Sequence, residues 1–252
     1  PVGVVGCLAW TADGSRLLLG VQRGDPTTTP PPATGTLLAV DTETWEITDE
    51  ATVELVPETL ELSPDGRSVA LGGGWNTLLE VRDAATLDLR STVELVSPDR
   101  LTDLSWSEDG GLFLTVGEGG GLHVVDAHTW QARAPAFASD ASRLQIEWLP
   151  DRRTAAITSG GGTVRLFDVD RSVARSGLPA AVGNVATQSF MVPDPTDHLV
   201  ILGDQDWVMS YPMTPSAWLR TACDIAGRDL TPAEWDRYLP GREYRATCSD
   251  LG

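Results

Sequence analysis

The stretch "LELSPDGRSVALGGG", residues 60 to 74, decides the fold. Leu60 to Ser63 reads as a short strand, Asp65-Gly66 as a tight turn, Arg67 to Leu71 as a second strand, and Gly72 to Gly74 as a flexible link. Aliphatic runs bounded by an Asp-Gly pair are the signature of a β-hairpin, because glycine takes the positive φ that a tight turn demands. One hairpin would fit many proteins. Its recurrence narrows the choice.

The turn signal returns at Asp13-Gly14, Asp109-Gly110, Pro150-Asp151 and, more loosely, from Pro193-Asp194 to Asp197. Successive aspartates (13, 65, 109, 151, 194) stand 52, 44, 42 and 43 residues apart. A period of about 40 to 45 residues is that of a four-stranded propeller blade. The one long interval contains "GDPTTTPPPATG", residues 24 to 35, a polar insertion whose prolines cannot continue a strand.

Each unit also keeps one internal order. Before the turn lie "GCLAW", "TLELS", "LTDLSW", "LQIEWL" and "TQSFMV"; after it come "RLLLGV", "RSVALGG", "GLFLTVG", "TAAITSG" and "HLVILGD". A link leads to a third run, "TLLAVD", "TLLEVRD", "GLHVVD", "GTVRLFD" or "DWVMSYP". Then follow "DTETW" from Asp41, "DAATL" from Asp83 and "DAHTW" from Asp126. In these the Asp and Thr can hydrogen-bond the turn backbone while the Trp or Leu re-enters an apolar layer, leading to an outer fourth strand.

These five units resemble degenerate WD40 repeats. The aspartate closing the third strand stands where the Trp-Asp dipeptide normally lies, with Val40, Arg82, Val125 or Phe167 replacing the tryptophan. The expected architecture is all-β: a WD40-like propeller of five visible blades over residues 1 to 213 and a two-helix cap over 214 to 252. The fifth blade has only three strands before the helices. An upstream segment completing a larger ring is therefore expected, and a small five-bladed ring with an imperfect seam is the alternative; Pro1 in place of Met points the same way.

In the tail, Leu219, Ala222, Cys223 and Ala226 fall at helical spacing, with Ser216 near the start and Gly227 at the end. Thr231 and Glu234 form a capping box with Pro232 in the first helical position, and Trp235, Tyr238 and Leu239 give this second helix an apolar side. Residues 222 to 248, "ACDIAGRDLTPAEWDRYLPGREYRATC", resemble the C-terminal signature of large bacterial WD40 proteins of the actinobacterial kind. The matching positions are Cys223, Ala226-Gly227-Arg228, Leu230-Thr231, Glu234-Trp235, Tyr238-Leu239, Tyr244 and Thr247-Cys248. That resemblance implies a STAND-type NTPase module, and in some relatives a DNA-binding or other effector domain, upstream of the propeller. No P-loop lies in this chain: its 18 basic residues are all arginine, and the motif needs a lysine.

The formal charge of -18 would repel a nucleic-acid backbone, so no nucleic-acid contact is expected here. No run approaches the roughly 20 apolar residues that span a bilayer, and no membrane contact is expected. Three scattered cysteines, Cys7, Cys223 and Cys248, do not make a disulfide scaffold and fit a reducing, cytoplasmic setting. Cys223 and Cys248 could still meet across the tail; two reduced thiols in an apolar seam carry the greater weight.

No cofactor, metal or catalytic residue is expected. His123 lies in a strand, His128 in a turn and His198 elsewhere, without the pairing of a metal site. "GDQDW", residues 203 to 207, lacks the ligand pattern and terminal Glu of a calcium loop. The glycine patches at 72 to 74, 117 to 121 and 160 to 162 recur at one place in the blade and read as turns rather than phosphate cradles.

Links between second and third strands should border the same surface as the links between blades. That surface would carry Trp75, Asn76, Glu118, Asp204, Asp206 and Trp207, the candidate partner-binding residues, since a tryptophan beside a flexible turn can anchor a partner. The competing reading is that Trp75 and Trp207 only begin buried strands. The function expected is a noncatalytic interaction or sensing module, its partner another protein or the upstream domains of the same chain. Two alternatives stay open: a propeller enzyme, which requires acids or histidines converging on the central channel, and a purely structural scaffold.

Overall fold

The Asp-Gly turns fold as their side chains dictate. In blade 2 the Ser63 hydroxyl donates to Asp65 at 2.6 Å, and Asp65 accepts the Arg67 backbone N–H at 3.0 Å. The Ser63 oxygen also accepts the Ser68 N–H, closing the loop from both sides. Thr11 and Asp13 repeat the device in blade 1, and Ser107 and Asp109 in blade 3. Gly14, Gly66 and Gly110 take φ values of 69°, 68° and 70° there, a region that disfavours any Cβ. These donors hold the exposed Asp13 carboxyl down at about 2, led by the Thr11 hydroxyl.

Between them run five antiparallel sheets in a computed structural model, which describes residues 3–23, 34–74, 78–95, 100–118, 121–133, 145–149, 153–158, 164–171, 173–174, 190–194, 198–202, 208–212 and 214–248. Blade 1 is β1 (Gly3–Trp10), β2 (Arg16–Arg23), β3 (Gly35–Asp41) and β4 (Ile47–Val53). Blade 2 is β5 (Thr59–Leu62), β6 (Ser68–Gly72), β7 (Leu78–Asp83) and β8 (Leu89–Glu94). Blade 3 is β9 (Leu101–Trp106), β10 (Leu112–Gly117), β11 (Leu122–Asp126) and β12 (Gln131–Ala132). Blade 4 is β13 (Gln145–Trp148), β14 (Thr154–Thr158), β15 (Val164–Asp168) and β16 (Val173–Ala174). Among the described residues blade 5 has three strands, β17 (Phe190–Asp194), β18 (His198–Leu202) and β19 (Val208–Pro212), as the sequence led us to expect. The insertion at 24 to 33 and the fourth turn at Pro150-Asp151 lie outside the described residues.

The first strands touch in series, β1 to β5 to β9 to β13 to β17, so each blade lies face to face on the next about a shared inner edge. Three apolar layers fill those interfaces. Leu18, Leu37 and Ala39 of blade 1 meet Leu60, Val69 and Leu71 of blade 2. Ala70, Leu79 and Val81 then meet Leu104, Trp106 and Phe113. Leu114, Val116 and Val124 meet Ile146, Trp148 and Phe167 in turn. A sheet cannot leave both faces in water without losing the burial that stabilises it, at about 25 cal/mol per Å² of apolar surface, and stacking blades supplies that cover.

The Asp-x-x-Thr turns form as expected: Asp41, Asp83 and Asp126 each accept two backbone N–H groups within 3.0 Å. The residue four after each aspartate is forced to positive φ: Trp45 at 59°, Leu87 at 61° and Trp130 at 56°. Leu87 is buried and Trp130 half-buried, but Trp45 is 64% exposed, so the expected return to an apolar layer fails in blade 1.

One buried ion pair also ties blades 1 and 2. The Arg82 guanidinium lies 2.6 Å from Glu80 and donates to the Thr52 and Leu87 carbonyls at 2.7 and 2.8 Å.

The cap comprises α1 (Pro215–Ala226) and α2 (Pro232–Tyr238). Thr214, not Ser216, caps α1: its side chain accepts the Ala217 N–H while Pro215 opens the helix, and Ser216 lies one residue inside. Gly227, at φ 66°, ends it as expected. The capping box of Thr231 and Glu234 is present, with Pro232 where the sequence put it. Of the expected apolar side of α2, Trp235 is buried while Tyr238 is exposed. Cys223 and Cys248 are joined by a disulfide with Cα atoms 5.4 Å apart, against the greater weight the sequence gave to free thiols. The backbone brings them there: Asp229 accepts the N–H groups of Thr247 and Cys248 at 2.7 and 2.6 Å, folding the tail back over α1.

Candidate functional site

Two places where blades meet carry ionisable groups in quantity: the rim where the links between blades emerge, and the inner edge where the first strands converge. At the rim, Arg100, just before β9, holds both oxygens of Glu58, just before β5, at 2.7 and 2.9 Å. It also contacts Glu118, which follows β10, at 3.2 Å, and accepts the Glu118 backbone N–H through its carbonyl at 2.9 Å. Hydrogen bonding to Glu58 leads the causes that raise the Arg100 pKa above its ordinary value. The link between the second and third strands of blade 3 thus meets the links entering blades 2 and 3, so one surface carries both kinds of link, as the repeat pattern requires.

Glu118 is the one sequence-predicted site residue among the described residues, and its carboxylate pairs with Arg100 across this junction. Trp75, Asn76, Asp204, Asp206 and Trp207 lie outside the described residues. His123 is buried in β11, His128 is exposed in its turn and His198 lies in β18. Among the described residues, no group of His, Cys, Asp or Glu is arranged to hold a metal ion.

The inner edge holds what sequence reasoning missed. Glu61 on β5, Asp103 on β9 and Glu147 on β13 come from three consecutive blades. Burial, then the charges of Glu147 and Asp103, push the Glu61 carboxyl up to about 8. Burial raises Asp103 to about 6, and burial with the Asp103 charge raises Glu147 to about 7. The first strands that carry these three groups touch in series, β5 to β9 to β13, so the Glu147 charge two blades on is among the causes that raise Glu61.

Two of these carboxylates have visible partners in the next blade. Glu61 accepts the backbone N–H of Trp106 at 3.0 Å, and Asp103 accepts that of Ile146 at 2.9 Å. Indoles return the tie: Trp106 Nε1 donates to the Glu61 carbonyl at 3.4 Å, and Trp148 Nε1 to the Ser105 carbonyl at 3.0 Å. Chemically the inner edge is a set of three carboxyl groups raised toward neutrality by burial, two of which, Glu61 and Asp103, are anchored to the backbone of the next blade. The sequence signal was an acidic residue inside each of the runs "TLEL", "LTDLSW" and "QIEW", which the turn-based comparison passed over.

No model of a known protein family matches the chain, and no curated protein matches it. Among solved structures, a chain of the Kuenenia stuttgartiensis hydrazine synthase is similar, with a TM-score of 0.64 and 18% identity. The match covers 81% of this chain and 57% of that one, so the chain spans a little over half the length of its structural neighbour. A likeness at that identity speaks for the fold alone. The architecture is a mostly β, propeller-like stack of blades with two short helices, and none of its helices, among the described residues, is long and apolar enough to cross a membrane.

Proposed function

We propose that the chain is a noncatalytic interaction propeller, a WD40-like module of a larger regulatory protein of the STAND type, whose rim binds a protein partner or another domain of the same protein. The observation that carries this reading is the tying of the inner-edge carboxylates to the next blade. Glu61 and Asp103 each take a backbone N–H across a blade junction, so they fix the spacing of the first strands from which the rim is presented. Rigid loops at set separations recognise a partner without paying for ordering on binding. The WD40 and STAND assignments rest on the repeat pattern and on residues 222 to 248.

Affinity capture from the native source, with rim and channel variants run side by side, tests this. A partner retained by wild type and by Glu61→Gln but lost with Trp75→Ala or Trp207→Ala is the expected result. Equal retention by the rim variants contradicts it.

The enzyme alternative has one observation in its favour: acids do converge on the channel, with pKa values raised toward neutrality, as general acid–base work requires. A turnover lost with Glu61→Gln and retained with Trp75→Ala would favour it. The cytoplasmic setting belongs to the proposal as well, and the Cys223–Cys248 bond stands against it, since disulfides persist in oxidising compartments.

A further inference from the structure

Blades 2, 3 and 4 each present one face to the blade before them, and the same positions make that face every time. Counted from the turn, blade 2 uses Leu60, Leu62 and Leu87. Blade 3 uses Leu104, Trp106 and Trp130, and blade 4 uses Ile146 and Trp148. The corresponding residues of blade 1 are Leu8, Trp10 and Trp45. Trp106 and Trp148 are 6% and 7% exposed, whereas Leu8, Trp10 and Trp45 are 54%, 51% and 64% exposed. The sequence of blade 1 matches blade 3 most closely, with tryptophan at both aromatic positions. In blade 3 those two rings meet edge to face, 6.4 Å apart, beneath Ala70, Leu79 and Val81 of blade 2.

A polar feature repeats with the apolar one. Trp106 and Trp148 each donate the indole N–H to an inner-strand carbonyl of the preceding blade. The Trp10 indole, at the same position, makes no such bond among the described residues. Blade 1 therefore carries an apolar patch and an indole donor set out as in the blade junctions elsewhere in the chain, with neither covered. Exposed tryptophans in such a patch mark an interaction surface.

We infer that the outer face of blade 1 receives a further four-stranded β-blade, seated on it as blade 2 sits on blade 3, with aliphatic residues over Trp10 and Trp45 and an inner-strand carbonyl accepting the Trp10 indole N–H. The occupant follows from continuity with the interfaces already formed. A second copy of this chain is disfavoured by charge, since each copy carries -18. This inference goes beyond the proposed function and does not depend on what binds the rim.

Hydroxyl-radical footprinting with mass-spectrometric readout tests it, run on the 252-residue chain and on the protein isolated from its native source. In the 252-residue chain Trp10 and Trp45 are expected to oxidise several-fold faster than Trp106 and Trp148. In the native protein both should fall to the level of Trp106. A short photo-crosslinker on Leu8→Cys should then join blade 1 to a segment of alternating, strand-like sequence outside residues 1 to 252. Undiminished oxidation of Trp10 and Trp45 in the native protein overturns the inference, as do crosslinks to a second copy of residues 1 to 252, to α1 or α2, or to a helical segment.

Discussion

Replacing Glu61 by glutamine should make the protein markedly more stable at pH 8 and change it little at pH 5. The carboxyl of Glu61 is raised from 4.5 to about 8 by burial first and by Glu147 and Asp103 next. A carboxyl raised on folding binds its proton more tightly in the folded state, so its contribution to stability is complete below the unfolded pKa and is lost as pH rises through the folded one. Each pH unit in that window is worth about 1.4 kcal/mol per proton. From pH 5 to 8 the wild type should therefore lose on the order of 3 kcal/mol through this group. Glutamine cannot ionise, yet its side-chain oxygen can still accept the Trp106 N–H that Glu61 accepts at 3.0 Å. Urea unfolding followed by far-UV circular dichroism at pH 5, 6, 7 and 8 reads the difference, with the denaturant slope checking that the unfolded state is unchanged. The variant should diverge from wild type as pH rises, in the stabilising direction. A constant offset at every pH, or a variant less stable at pH 8, refutes the reasoning.

Arg82→Met strands the buried Glu80 carboxylate and should destabilise by about 3–5 kcal/mol, while the pair Glu80→Gln with Arg82→Met should recover part of that loss; thermal melts of both decide it. Gly66→Ala meets open space, so only its φ of 68° resists, and a loss of about 1–2 kcal/mol in urea unfolding is expected. Unfolding without reductant should expose one reactive thiol, Cys7, and reduction should raise the count to three by opening Cys223–Cys248. In the folded state Cys7 should react slowly, because burial pushes its thiol up to about 12. Opening the bond should remove about 3 kcal/mol of cap stability, read by hydrogen exchange in α1 and α2, with the blades unaffected.

What could be read from the sequence was local. Ser63, Asp65 and Gly66 specify their turn with partners within five residues, so repetition of the pattern carries the blade period in the sequence itself. The capping box at Thr231 is equally short-range. At the start of α1, Thr214 and Ser216 are both capping residues, and the choice fell to the one directly before a proline, which can open a helix without needing its missing N–H. Glu61, Asp103 and Glu147 sit 42 to 86 residues apart, and only stacking of blades makes them neighbours. Each alone is an acidic residue in a strand. The same limit hid the Arg82–Glu80 pair, whose second set of partners comes from blade 1, and the exposure of Trp45, which no described blade covers as blade 1 covers Leu87. Asp229, which gathers the N–H groups of Thr247 and Cys248, accounts for the disulfide that composition weighed against.

The central claim is that successive blades turn their first strands toward one channel. Carboxyl titration by carbon-13 NMR, on wild type and on Asp103→Asn, measures it most directly. The account predicts that Glu61 and Glu147 titrate well above 4.5 in wild type and that both move down when the Asp103 charge is removed. Two glutamates titrating near their ordinary value, and indifferent to Asp103, would contradict it.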